Sequence, residues 1–179
     1  QNVGTASQMV SATQYYTIMG DTTVTIDQMM RYFGSSGHAY PSAALGVGGA
    51  STLEQFCLLY LEEAQAEGVR AEVAFAQAMK ETGWLQYGGT VQIEQFNFAG
   101  IGALDGNSSG NCASFSDVRT GIRAQIQHLK AYASNEALVN AQVDPRFHLV
   151  TRGSAPYVEW LGQKENPTGA GWATSTNYG

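Results

Sequence analysis

The sequence predicts a mostly helical α+β domain with one small irregular or β element in its middle. Three observations carry this. Apolar residues recur at helical spacing in three long stretches, each with a recognisable start or stop signal. Between Trp84 and Phe115 the chain turns rich in Gly, Asn and Ser, too irregular for a helix and able to hold at most a short hairpin. The composition, 44% apolar and only 13% charged over 179 residues, excludes general disorder and suits one domain with a proper core.

Residues 1–50 read as an N-terminal arm packing on a domain formed by residues 51–179. Within the arm, "TIDQMMRYFGSS" predicts a short helix with Met29, Met30 and Phe33 on one face and Gly34 as its stop. "YPSAALGVGGA" reads as a loop. A strong helix starts at "STLEQFCLLYLEEAQAEG", with Ser51 and Glu54 as a capping box and Gly68 as the C-terminal stop. Its apolar set is Leu53, Phe56, Cys57, Tyr60, Leu61 and Ala64, which makes it a core helix. The next helix, "RAEVAFAQAMKETG", runs from about Arg70 to Gly83. After the irregular middle, "SDVRTGIRAQIQHLKAYAS" resumes helix, with Asp117 as N-cap and Val118, Ile122, Ile126 and Leu129 as its stripe. One further short helix is expected at "APYVEWLG".

The net charge of −6 argues against a nucleic-acid partner, which demands a basic face. No run approaches the ~18 apolar residues of a membrane span, so no membrane insertion is expected. Low charge with many Ser, Thr, Asn, Gln and Gly residues suits an extracellular surface. His38, His128 and His148 lack metal-ligand spacing, and "DGNSSGN" has no Glu at the twelfth position of a calcium loop, so neither metal nor cofactor is expected. His128 reads as a structural hydrogen-bonder. Cys57 reads as a small core residue, and the sequence leaves a disulfide to Cys112 open.

The chemistry points to Glu81. Ala74, Ala78 and Glu81 stand at i, i+4 and i+7, so the carboxylate continues a small apolar face, with Glu72 and Lys80 on the solvated side. Partial burial there would disfavour the ionised form, and the negative end of the helix dipole would add ~0.3–1 kcal/mol. A general acid needs both effects. Trp84 and Tyr87 follow in "TGWLQYGG", and aromatic faces beside a carboxylic acid suit a sugar ring.

Here the residues carry a resemblance. "AEVAFAQAMKETGW" resembles the catalytic helix of the peptidoglycan glucosaminidases (mannosyl-glycoprotein endo-β-N-acetylglucosaminidase-like domains), whose pattern is A-Q-A-x-x-E-[ST]-G-W. "NFAGIGA" resembles their N-L-F-G-I-K segment, with Asn97, Gly100 and Ile101 in register and Phe98 inside it. "GWATSTNYG" is similar to Y-A-T-D-P-x-Y, with Trp172 in place of the first tyrosine and Tyr178 matching the second. The resemblance implies a lysozyme-like fold with a reduced β-lobe and Glu81 as the acid at the floor of a glycan groove. It implies cleavage of the β-1,4 bond on the reducing side of N-acetylglucosamine in peptidoglycan glycan strands. The expected enzyme is a monomer, secreted or at the surface of a bacterial cell wall.

A second catalytic group is usual in glycoside hydrolysis. Asp105, the acidic residue inside the shortened lobe "GALDGNSSGNCASFSD", whose final Asp117 is better explained as a helix cap, is the first candidate, although "LDGN" is also a plain turn signal. Glu94 is its rival, and the substrate's own acetamido group a third route. Tyr178 could orient that acetamido group or simply pack. Trp160 and Trp172 could line the groove or be buried. Two other activities compete on the same residues. One is a lytic transglycosylase or muramidase cutting the other glycosidic bond, and the other is a non-catalytic glycan-binding module.

Overall fold

The structure, a computed structural model, describes residues 14–102 and 111–179. Its α-helices are α1 (Ile26–Gly34), α2 (Ser42–Val47), α3 (Leu53–Glu67), α4 (Ala71–Thr82) and α5 (Val118–Ala133). Single 3-10 turns lie at Ile93–Gln95, Phe147–Leu149 and Val158–Leu161, the last inside the segment where a short helix is expected. The described β structure is confined to four isolated bridges, one of them Gly102 to Cys112 across the expected hairpin region.

The helices start and stop where local chemistry tells them to, with three corrections. The cap of α3 lies one residue later than expected. Thr52, not Ser51, takes the Gln55 amide on its hydroxyl, and the Gln55 side chain accepts in return from Thr52 N (3.3 Å) and Ser51 N (2.8 Å). Thr-x-x-Gln satisfies the same orphan donors as Ser-x-x-Glu, and here it satisfies one more. The second correction is α2, expected as loop. Ala43, Ala44 and Leu45 are good helix formers behind Pro41, and the short turn buries Leu45 completely. The third is Gly34, which is the last residue of α1 rather than its stop, Ser35 being the C-cap. Left-handed Gly68 after α3, left-handed Gly83 after α4, and the Asp117 carboxylate capping α5 through Thr120 N at 2.7 Å agree with the sequence.

Helix α4 is the centre of the core. Ala71, Ala74 and Ala78 have no exposed surface, so α3 and α5 pack close against it, and Phe75 and Met79 fill the remaining space. Helix α1 lays Met29 and Phe33 on α3 and α4. Ile18, also without exposed surface, is stitched between Pro156 O and Arg70 N, so the segment before α1 ties the end of the chain to the start of α4.

Along the α3–α5 seam the buried carboxylates are all met by cations. Glu63 accepts from Arg119 at 2.9 Å and from Arg123 at 2.8 and 3.0 Å. Burial works against its ionised form, but those hydrogen bonds outweigh it and hold the carboxyl below the usual range. Glu67 meets Lys130 at 2.9 Å with both side chains at most 2% exposed, and takes Val139 N and Asn140 N besides. His128 is a structural hydrogen-bonder as expected, its Nδ1 2.7 Å from Asp144. Cys57 and Cys112 are separate thiols, and burial pushes that of Cys57 up to about 12.

Candidate active site

Glu81 occupies the last turn of α4, and the chain then makes an unusual exit. Gly83, Trp84 and Leu85 are consecutive left-handed residues with φ of 55°, 59° and 63°, and Tyr87 follows at 58°. Each non-glycine residue there costs about 1–2 kcal/mol. Compensation comes from Trp84 N to Met79 O (2.8 Å), Leu85 N to the Thr82 hydroxyl (2.9 Å), Tyr87 N to Thr82 O (2.7 Å) and complete burial of Leu85. The tight turn leaves Trp84 half-buried against α1, its ring 4.9 Å from exposed Tyr32 and 6.5 Å from Phe33. Strain of this kind clusters at functional sites.

The loop of residues 96–101 is brought to Glu81 by two devices. Gly121 on α5 lies so close to Phe96 O that a Cβ there would be 1.7 Å away, so only glycine lets the loop rest on the helix. Asn97, 1% exposed, then clamps the loop with all of its side chain. It accepts from Ala99 N and Ile101 N, and donates to Ile101 O at 2.8 Å and Ala113 O at 3.0 Å. The result places Gly100, at φ 63°, against the carboxylate: its missing Cβ would lie 3.8 Å from Glu81 Oε2.

From the other end of the chain Tyr178 donates its hydroxyl to Glu81 Oε1, in a short hydrogen bond. Its ring is fixed by Lys80, whose ammonium lies 4.8 Å from the ring centroid and donates to Tyr178 O at 2.9 Å. Burial, then the charge of Glu81 and the hydrogen bond to it, raises Tyr178 far above the usual phenol range, with Gln77 partly offsetting them. It is therefore a donor at any working pH.

One expectation about Glu81 is corrected. The residue is exposed rather than partly buried, because α4 ends just where its small apolar face reaches the surface. What the fold supplies is position, through Tyr178 on one oxygen and the Gly100 loop beside the other. Among the described residues no cation lies within ion-pair distance of Glu81.

The other candidates divide. Tyr87 joins the site from beneath, its hydroxyl 3.3 Å from Asn97 O, and Glu94 is close enough to push it up in addition to burial. Phe98 is wholly buried against Phe56 (5.2 Å) and faces no groove. Trp160 packs with Tyr157 and Tyr15, and Trp172 packs edge-on to His128 at 4.6 Å. Neither shares a ring or hydrogen-bond contact with Glu81 or Tyr178. Asp105 lies outside the described residues. A cleft of about 350 Å³ opens beside Tyr178 along the α4 face of Val73, Ala76 and Gln77, walled by Tyr16 and Tyr32, and Glu81 does not line it. Among the described residues no group of three or more His, Cys, Asp or Glu side chains could hold a metal ion.

Sequence reasoning missed Gln77. It donates to the Tyr178 hydroxyl at 3.0 Å and is 7% exposed. The signal was present: Gln77 stands four residues before Glu81, so both side chains leave the helix on one side.

Comparison with known proteins adds the family. A family model described as glucosaminidase, mannosyl-glycoprotein endo-beta-N-acetylglucosaminidase, matches residues 57–179. An uncharacterized protein of Borreliella burgdorferi (strain B31) is 50% identical over 99 residues, which are 55% of this chain and 48% of that protein. The chain thus spans about half the length of that relative. No solved structure matches significantly. The matched span contains Glu81, the Gly100 loop and Tyr178, and on that match the chain belongs to the glucosaminidase family.

Proposed function

We propose that the chain is a bacterial cell-wall hydrolase that cuts the β-1,4 bond between N-acetylglucosamine and N-acetylmuramic acid in peptidoglycan, with Glu81 as general acid on a lysozyme-like scaffold. The observation that carries this reading is Tyr178 donating to one oxygen of a carboxylate that has no cation partner among the described residues, inside the span matched by the family. An ion-paired carboxylate keeps its charge, whereas one held by a neutral donor can take and release a proton. Substrate supplies the burial that the free protein lacks. A sugar laid over the carboxyl expels its water, and a carboxyl deprived of water favours the neutral form that donates.

Trp84, beside the acid, offers the platform for that sugar. The second carboxylate is Asp105 or Glu94, and the substrate's acetamido group is the route if neither serves. The enzyme works as a monomer, secreted or at the cell surface, where the glycan strands are.

Product analysis tests the proposal. Digested peptidoglycan should release fragments with N-acetylglucosamine at the new reducing end, read by mass spectrometry after borohydride reduction. N-acetylmuramic acid at that end, or its anhydro form, would replace the proposal with a muramidase or a lytic transglycosylase. Asp105→Asn is expected to lower turnover more than Glu94→Gln, and the reverse order moves the role to Glu94. Near wild-type rates in both would assign it to the acetamido group.

A further inference from the structure

We infer that Gln77, Gln125 and Tyr60 are positioning residues that fix the direction of the Tyr178–Glu81 hydrogen bond and so reserve Glu81 Oε2 for the transferable proton. The inference rests on Glu81 being the acid.

Ala74 O on α4 is a carbonyl and can only accept. It receives Gln125 Nε2 at 2.8 Å, which settles which end of the Gln125 amide is nitrogen. The same nitrogen donates to Gln77 Oε1 at 3.0 Å, and Gln125 Oε1 accepts from the Tyr60 hydroxyl at 2.7 Å. With its oxygen committed to Gln125, Gln77 must present nitrogen to Tyr178, which it does at 3.0 Å. The Tyr178 oxygen thus accepts from inside the protein, and its single hydrogen is left for Glu81 Oε1. Gln125 Nε2 serves Ala74 O and Gln77 Oε1, Gln77 Nε2 serves Tyr178, and the Tyr60 and Tyr178 hydroxyls serve Gln125 and Glu81, so the chain has one polarity.

That polarity decides where the proton of the acid sits. An oxygen that accepts from Tyr178 cannot present its own hydrogen along the same line. The acidic hydrogen therefore belongs to Oε2, the oxygen beside Gly100. Tyr60 and Gln125 are completely buried, Gln77 is 7% exposed and Tyr178 8%. Four interior polar side chains are a liability unless all are satisfied, and an apolar set would fill the space without that risk. Here each is satisfied, and the chain they form, spanning α3, α5 and α4, ends on the acid.

A double-mutant cycle tests this, with kcat and KM measured on solubilised, uncross-linked peptidoglycan strands. Gln77→Met should lower kcat about tenfold, the worth of one buried hydrogen bond, and leave KM within about twofold. Tyr178→Phe should lower kcat at least as much. In the Tyr178→Phe background, Gln77→Met should change nothing further, because the relay no longer has an end. Equal factors in both backgrounds, or a rise in KM at constant kcat, would overturn the inference. If circular dichroism shows that Gln77→Met does not fold, Gln125→Met goes through the same cycle with the same expectations. Glu81→Gln is assayed alongside. Full activity there removes the acid and this inference together, whereas an inactive Glu81→Gln with independent Gln77 and Tyr178 effects removes the inference alone.

Discussion

The α3–α5 seam and the end of α4 both hold carboxylates on helices of the same core, and they are treated in opposite ways. Glu63 and Glu67 are buried and met by Arg119, Arg123 and Lys130. Glu81 is exposed and met by a neutral phenol whose hydroxyl takes the neutral Gln77 amide. Cations on the seam lock a charge in place. The amides behind Tyr178 lock a geometry without setting a counter-charge on the carboxylate. A carboxylate meant for proton transfer is better served by the second arrangement.

The largest expected effect separates the two kinds of carboxylate by activity. Glu81→Gln should lower hydrolysis by ~10²–10⁴-fold with an unchanged melting temperature, because it removes a proton and no packing. Release of reducing ends within a few-fold of wild type would end the distinction. The mirror experiment is Glu67→Gln. It leaves the Lys130 ammonium buried without its charge partner and should cost about 3–5 kcal/mol in denaturant unfolding, with activity per folded molecule retained.

Trp84→Ala comes next, and it shows whether the strained turn serves the site or the core. A fully buried tryptophan costs ~3–5 kcal/mol on truncation; half-buried Trp84 should cost less while turnover falls about tenfold. A sharp drop in melting temperature with normal turnover would assign the ring to packing against Tyr32 and Phe33. The smallest effect is that of pH on the seam. The Glu63 carboxyl is held below its ordinary 4.5, so its contribution to stability is complete above that value and is lost as pH falls through the lower folded value. Wild type and Glu63→Gln should differ most in melting temperature near neutrality, and the gap should close below about pH 4.5. A gap that widened in acid would mean that the Arg119 and Arg123 contacts do not govern this group.

How much of this was legible depends on whether a residue's role is local. The α4 boundaries, the Gly68 and Gly83 stops and the Asp117 cap follow from neighbours a few residues away, and they were read correctly. The Thr52 cap was displaced by one because Ser51-x-x-Glu54 and Thr52-x-x-Gln55 are equally good on paper, and only the second accepts from both Ser51 N and Thr52 N. Glu81 continues the apolar phase of α4 as read, but the expected partial burial fails because the helix ends at the surface. Gln77 carried a helix-phase signal four residues before Glu81, but its pairing with Gln125 was illegible because the two amides, 48 residues apart, reveal their roles only when seen together. Phe98 shows the converse, since a motif position adjacent to the site turned out to point into the core.

The bond between Tyr178 and Glu81 closes a loop of 97 residues. Closing a flexible loop of that length costs about 4 kcal/mol of chain entropy, several times what one hydrogen bond returns. The closure is therefore sustained by the clasp of Lys80 on Tyr178, the bridge of Gly162 to Ala173 and the tie of Ile18 to Pro156, none of which any helix needs. Such a contact is late to form in folding and early to open on warming. Activity should consequently fade at temperatures where the helical signal is still intact, and return without delay on cooling.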